Sequence, residues 1–343
     1  MEENKLNSNE CMVSDVPAGT PQLQISDTIE FVSMQSFQRD MHQYLEMIEA
    51  GNDAYHAPLC QLIDAFLSAP NKSADKDDYH NIAVDLARFS YKEMAIKILT
   101  DGLNRYPRNV DLLSDYIYYG KDCGHLDECK QKLDILLKVP MYRWTWRGFS
   151  FSVDYLIELS DQQITEEEEE KNRQLVNEIA ENFVKYFPND ENSRLSMSDA
   201  HKFCGRTEQC ENELKDALET LKVAPKCALR YADMLFARGD FSDALPIIRR
   251  GIHDAAQTQS GVSLGYLYYL SGLCKISNHN EEQGKMSKEE VYDIYVDFNI
   301  ATRELSANES YKSVIKSQAQ ALVDKTGIEV PQKKYGELYD LIH

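Results

Sequence analysis

Two stretches, "CGHLDEC" from Cys123 to Cys129 and "CGRTEQC" from Cys204 to Cys210, set a cysteine before a glycine and a second cysteine five residues after it. Paired cysteines can hold zinc, exchange disulfides or supply a thiolate nucleophile. Zinc asks for closer spacing, C-x2-C or C-x4-C, and for two further ligands; here His125 and His201 are the only neighbours. A free cysteine is also a small hydrophobe that fits where two helices touch. The spacing favours packing, with both stretches forming the same corner of a helical hairpin, and no metal site is expected.

Other residues invite chemistry. "MYRWTWRGFSF", Met141 to Phe151, gathers both tryptophans with two arginines in an acidic chain. Stacked aromatic and guanidinium groups can hold a ligand, a peptide or a base, which makes Arg143, Trp144, Trp146 and Arg147 a candidate hot spot. The competing reading is that Trp144 and Trp146 start a helix and anchor its packing. In the acidic run Glu166–Glu170, Thr165 reads as a helix N-cap with Glu168 completing a capping box, and Ser287 with Glu290 repeats the pattern. "DKDDYHN" lacks the glycine and terminal glutamate of a calcium loop. No glycine-rich phosphate loop, HExxH or GxSxG is present, so neither enzymatic activity nor a cofactor is expected.

The elements that must position these residues are helices. The chain has 343 residues, of which 10 are proline and 15 glycine, and no Val/Ile/Thr-rich alternating runs, so long helical segments are expected. The formal net charge is −20, which disfavours nucleic-acid backbones and anionic membranes and suits a basic or amphipathic protein partner. Eight cysteines spread thinly through a long chain point to the reducing cytoplasm. No apolar run is long enough to span a membrane. Residues 1–24 are polar, without the apolar stretch of a signal peptide, and read as a disordered tail. Residues 25–74 read as a helical hairpin, with helices over about 26–50 and 56–67 and a stop at Gly51.

From about residue 75 the chain repeats. In a 34-residue frame with Pro107 at position 32, Tyr79 stands at position 4, Ile82 at 7, Ala83 at 8, Leu86 at 11, Ala95 at 20, Leu99 at 24 and Gly102 at 27. The small residue of position 20 recurs as Cys129, Val176, Cys210 and Ala244, with one interval of 47, which is 34 plus 13. The extra length is expected in a polar connection around "LIELSDQQITEEEE". Position 15 holds Gly124, Gly205 and Gly239, the third in "RGDFSDA", which keeps the turn without the cysteines. This pattern resembles the tetratricopeptide repeat. Gly120, Met141 and Lys222 depart from it, where a tyrosine and two prolines are usual.

The resemblance implies an all-α, right-handed superhelical solenoid of antiparallel helix pairs, with about five to seven hairpins over residues 75–305, an insertion near 155–168 and capping helices over 306–343. It also implies that positions 2, 5, 9, 12 and 13 of each first helix face a shared groove. From those positions Arg88, Tyr118, Lys121, Asn192, Lys202, Phe203, Lys226, Phe236, Tyr266 and Tyr269 are taken as the partner-binding residues. The scattered Arg88, Lys121, Asn192 and Lys202 do not make the carboxylate clamp some members use. The C-terminal end of the groove is the more apolar. The function expected is a protein–protein interaction scaffold, adaptor or regulatory subunit that binds a partner segment in this groove. The alternative is a sensor of a small ligand, peptide or single-stranded nucleic acid through the Trp/Arg patch; an enzyme subunit with a Cys/His metal site is the third reading.

Overall fold

The computed structural model describes residues 31–70, 72–160, 165–279 and 284–343, and among them all regular structure is helical. The expected tail over residues 1–24 lies outside the described residues. The chain divides into two compact units, Met1–Asp75 and Lys76–His343.

In the first unit, α1 (Met34–Glu49) and α2 (His56–Ser68) pair through Phe37, Met41, Leu45, Leu59, Leu62, Ile63 and Phe66, all buried. Helix α1 starts behind Ser33, whose hydroxyl accepts the Ser36 amide at 3.2 Å. It stops at Gly51, with φ +84°. The Phe37 and Phe66 rings stack at 4.6 Å.

The second unit opens with six antiparallel hairpins. They are α3 (Lys76–Arg88) with α4 (Lys92–Arg105), α5 (Val110–Asp122) with α6 (Leu126–Leu136), α7 (Trp146–Ser160) with α8 (Glu166–Tyr186), α9 (Glu191–Phe203) with α10 (Thr207–Thr220), α11 (Pro225–Arg238) with α12 (Phe241–Gln257), and α13 (Gly261–Asn278) with α14 (Lys288–Glu304). Two further helices, α15 (Glu309–Thr326) and α16 (Gly336–Ile342), pack on α14.

Within the second unit one corner closes a first helix four times. The amides of Tyr91, His125, Arg206 and Asp240 donate to the carbonyls of Leu86, Gly120, His201 and Leu235 at 2.8–2.9 Å, each bond reaching back five residues to close the end of a first helix. The preceding residue must be left-handed. Gly124, Gly205 and Gly239 supply φ of +81°, +72° and +85°, while Ser90 holds the same place at φ +70° without glycine's freedom.

Position 20 lies at the contact between the two helices of a hairpin. Ala95, Cys129, Val176, Cys210 and Ala244 are all buried there. Gly120 is explained by the same contact: a Cβ on it would stand 2.8 Å from the Cys129 sulfur. Burial raises the Cys129 thiol to about 12, which suppresses thiolate chemistry. Positions 4 and 27 also meet, since a Cβ on Gly102 would fall 2.8 Å from Tyr79 Cγ.

The insertion is taken up differently from the expectation. Phe149 stacks on Phe183 at 5.0 Å and 9°, the position 4 to position 27 contact, so two of the thirteen extra residues precede α7 and eleven fall within the hairpin. Leu156–Ser160 belong to α7 and Glu166–Glu170 to α8, which is 21 residues long. Only the short stretch between them is left for the connection, of which residues 161–164 lie outside the described residues. Glutamate is a good helix former, and its placement in the first turn favours the helix electrostatically. The capping boxes expected at Thr165 and Ser287 are both formed.

Candidate functional site

Among the first helices of the hairpins, α5 packs on α7, α7 on α9, α9 on α11 and α11 on α13, so their free faces share one surface. Toward its C-terminal end this surface opens into a cleft of about 460 Å³. Leu195 of α9, Leu229 and Phe236 of α11, and Tyr266, Tyr269, Leu270 and Leu273 of α13 supply its apolar walls. Lys226, Arg230 and Asp233 of α11 stand at its polar edge, and Tyr311 enters from the first turn of α15.

The aromatic groups of the cleft brace one another. Tyr311 meets Tyr266 edge-on at 4.5 Å and Tyr269 at 6.1 Å, and the Asn308 amide reaches the Tyr266 hydroxyl at 3.4 Å. Phe236 leans on Phe241 at 5.3 Å. Burial holds the Tyr269 and Tyr311 phenols above their ordinary pKa, so both stay neutral hydrogen-bonding groups at the edge of an apolar hollow. The cations are tethered: Arg230 pairs with Asp199 at 3.1 Å, and the Lys226 ammonium donates to Asn192 at 2.9 Å. Glu191 Oε1 accepts the amides of Lys226 and Cys227 at 2.5 and 2.9 Å, fixing the start of α11 against α9.

A second aromatic group lies between α5 and α7. Tyr118, exposed, stacks on Phe151 at 4.3 Å and 19°, and Trp146 meets the edge of Phe151 at 5.8 Å. Arg147 lies over Trp146 at 4.9 Å and Lys121 over Tyr118 at 5.8 Å, with the Lys121 ammonium also 2.5 Å from Glu158. On the α3 side, His80 Nδ1 contacts the buried Asp115 carboxylate at 2.5 Å.

Carboxylates recur at one repeat position along the row. With Phe149 at position 4, Asp154, Asp199 and Asp233 occupy position 9 of α7, α9 and α11. Burial and the neighbouring Asp199 push the Asp154 carboxyl up to about 6, against the pull of Lys121 and Arg230. Burial raises Asp199 as well, opposed by Arg230 and Lys202.

The structure therefore sorts the sequence candidates into groups. Lys226, Phe236, Tyr266 and Tyr269 converge on the cleft, with Asn192 holding Lys226. Tyr118 and Lys121 come together with Trp146 and Arg147. Arg88 is exposed at the end of α3 over Phe89, Lys202 is exposed in the last turn of α9, and Phe203 is half-buried at that helix's end; none of the three joins either group. The proposed hot spot is divided. Trp144 is 3% exposed and its indole donates to the Val139 carbonyl at 2.9 Å, so it is core and not a contact surface. Arg143 is exposed in the turn before α7 and stands apart. Three residues were missed: Phe151, which sat within the quoted aromatic segment; Arg230, off the groove positions by one; and Tyr311, which comes from a helix outside the repeat frame. Among the described residues no group of His, Cys, Asp and Glu has the arrangement of a metal site.

The sequence matches no protein-family model and no curated protein. Among solved structures, it is similar to a tetratricopeptide repeat protein from Parabacteroides merdae, with a TM-score of 0.51 and 15% identity over 84% of this chain and 99% of that one. A thermophilic TPR protein from Thermus thermophilus aligns at a TM-score of 0.46 and 13% identity, over 59% of this chain and 98% of that one. The human IFIT1 dimer with PPP-AAAA aligns at 0.45 and 13%, over 92% of this chain and 69% of that one. The fold is that of a TPR-type helical-repeat protein.

Proposed function

We propose that this TPR-type chain is a binding scaffold whose cleft between α9, α11 and α13 holds a segment of a partner protein through one bulky apolar side chain. The observation that carries the reading is the cleft itself. It is a concave hollow of about 460 Å³ with leucine and aromatic walls and a few convergent polar groups at the rim. Preformed apolar hollows of this size are where anchor side chains gain most on leaving water. The rings are braced against one another, so little conformational freedom is lost when a guest enters. The chain carries a formal net charge of −20, which favours basic partners over phosphate backbones.

The test is affinity purification of the tagged chain from its native extract, with and without the pair Phe236→Ala and Tyr269→Ala. Truncating two walls of the cleft is expected to weaken capture of the specific partner at least tenfold, about 1.4 kcal/mol, with helical content unchanged by circular dichroism. A partner captured equally by both proteins would place binding elsewhere.

A further inference from the structure

The cleft has one wall that the repeat does not supply. Tyr266, Tyr269, Leu270 and Leu273 follow one another at i, i+3, i+4 and i+7 along α13, so they share one face of that helix. Tyr311 belongs to α15, which packs on α14 and α16. Its ring still reaches across to α13, edge-on to Tyr266 at 4.5 Å and 68° and to Tyr269 at 6.1 Å and 87°.

The closeness of α13 and α14 brings it there. Gly265 and Gly272 of α13 meet Leu305, at the end of α14, and Phe298 within it, the antiparallel register in which each pair lies seven residues from the other. A Cβ on Gly265 would stand 2.6 Å from Leu305 Cγ and 3.0 Å from Glu304 Cβ, so any larger residue there must push the end of α14 away. From Leu305 the chain turns at once. The Asn308 backbone amide donates to the Leu305 carbonyl at 2.9 Å, and the Asn308 side-chain oxygen accepts the Tyr311 amide at 3.2 Å. The Asn308 side-chain amide donates to the Tyr266 hydroxyl at 3.4 Å. Each link from Gly265 to the Tyr311 ring is thus a direct contact.

The arrangement of the rings selects the guest. An aromatic ring has a negative face and a positive edge, and rings attract one another most when edge meets face or when they stack with an offset. Tyr269 and Tyr311 stand nearly perpendicular, so a third ring between them finds a favourable partner in more than one orientation. A saturated side chain of similar shape gains only from the area it removes from water.

We propose that Tyr311 makes the cleft selective for an aromatic anchor, and that Gly265 and Asn308 are the positioning residues that hold Tyr311 in place. This rests on the reading of the cleft given above and adds the class of side chain it takes and the residues that set it.

The experiment titrates the full chain, labelled at its leucine methyls, with the N-acetyl amides of phenylalanine and of cyclohexylalanine, its saturated counterpart. Binding is read from the NMR shifts of Leu195, Leu229 and Leu273. The saturated ring buries at least as much apolar area, so area alone gives phenylalanine no advantage. The wild type is expected to bind the phenylalanine amide about two- to tenfold more tightly. Tyr311→Ala is expected to bring that ratio to one or below, and Tyr311→Phe, which keeps the ring, to retain it. Gly265→Ala is expected to lower the ratio from outside the cleft, with helical content unchanged by circular dichroism. Asn308→Ala should do the same without crowding the helix contact. A wild-type ratio of one or below, or a ratio unchanged in Tyr311→Ala, overturns the proposal, and the cleft reading stands because the leucines still respond. A ratio lowered in Tyr311→Ala but unchanged in both Gly265→Ala and Asn308→Ala overturns the positioning role. If neither amide shifts the cleft leucines, the cleft reading falls as well.

Discussion

Asp154 is a half-buried carboxylate in the row of first helices. Its carboxyl titrates near 6 because burial and Asp199 disfavour the charge more than Lys121 and Arg230 favour it. The folded value lies above the unfolded one, so the folded chain binds this proton more tightly, and stability falls as the pH rises through the window between about 4 and 6. A rise of roughly two in pKa corresponds to about 3 kcal/mol lost once the group is ionised. Asp154→Asn keeps the shape, removes the charge and is expected to recover about 2–3 kcal/mol at pH 7. For a unit of this size that is a rise of roughly 4–10 °C in Tm. Thermal unfolding of both proteins from pH 3.5 to 7.5 checks this: the curves should meet near pH 4 and diverge toward pH 7. A variant less stable than wild type at pH 7, or an offset the same at every pH, would show that the Asp154 charge is compensated in the groove and that the reasoning is wrong.

Two further substitutions test the stacking of the hairpins. Gly251→Ala would set a methyl 2.8 Å from Ala228 Cβ and 2.9 Å from Leu267, joining three helices that have no room for it, and is expected to cost about 1–3 kcal/mol in urea unfolding. Ser90→Gly should act the other way, adding about 0.5–1 kcal/mol by relieving a left-handed serine at the first corner, whereas Gly239→Ser at the fourth should lower stability by a similar amount in the same assay.

The repeat was legible because its hardest constraints are local. A left-handed turn after each first helix selects glycine at Gly124, Gly205 and Gly239, and the close helix contact selects a small residue at Ala95, Cys129, Cys210 and Ala244, so both appear at a fixed stride in the sequence. The cysteine pairs belong to those constraints: Cys129 and Cys210 fill the contact, and Cys123 and Cys204 stand just before the turn. Eleven of the thirteen extra residues lie in the expected hairpin but as helix, because a run of glutamates reads as polar connection by composition and as helix by propensity and capping; the Phe149–Phe183 stack that puts the other two before α7 is a tertiary contact. Trp144 and Trp146 are two residues apart and have different fates, one donating to a carbonyl in the core and one standing against Phe151, a difference that depends on where α7 begins. Tyr311 obeys no repeat rule, and only the packing of α15 brings it beside Tyr266.

The central claim is that a partner protein occupies the cleft, and site-specific crosslinking tests it most directly. A photoreactive benzoylphenylalanine at Tyr269, inside the cleft, is expected to couple to one defined partner polypeptide in native extract. The same group at Glu219, exposed near the end of α10, should not. Coupling of that partner from Glu219 and not from Tyr269 would contradict the account.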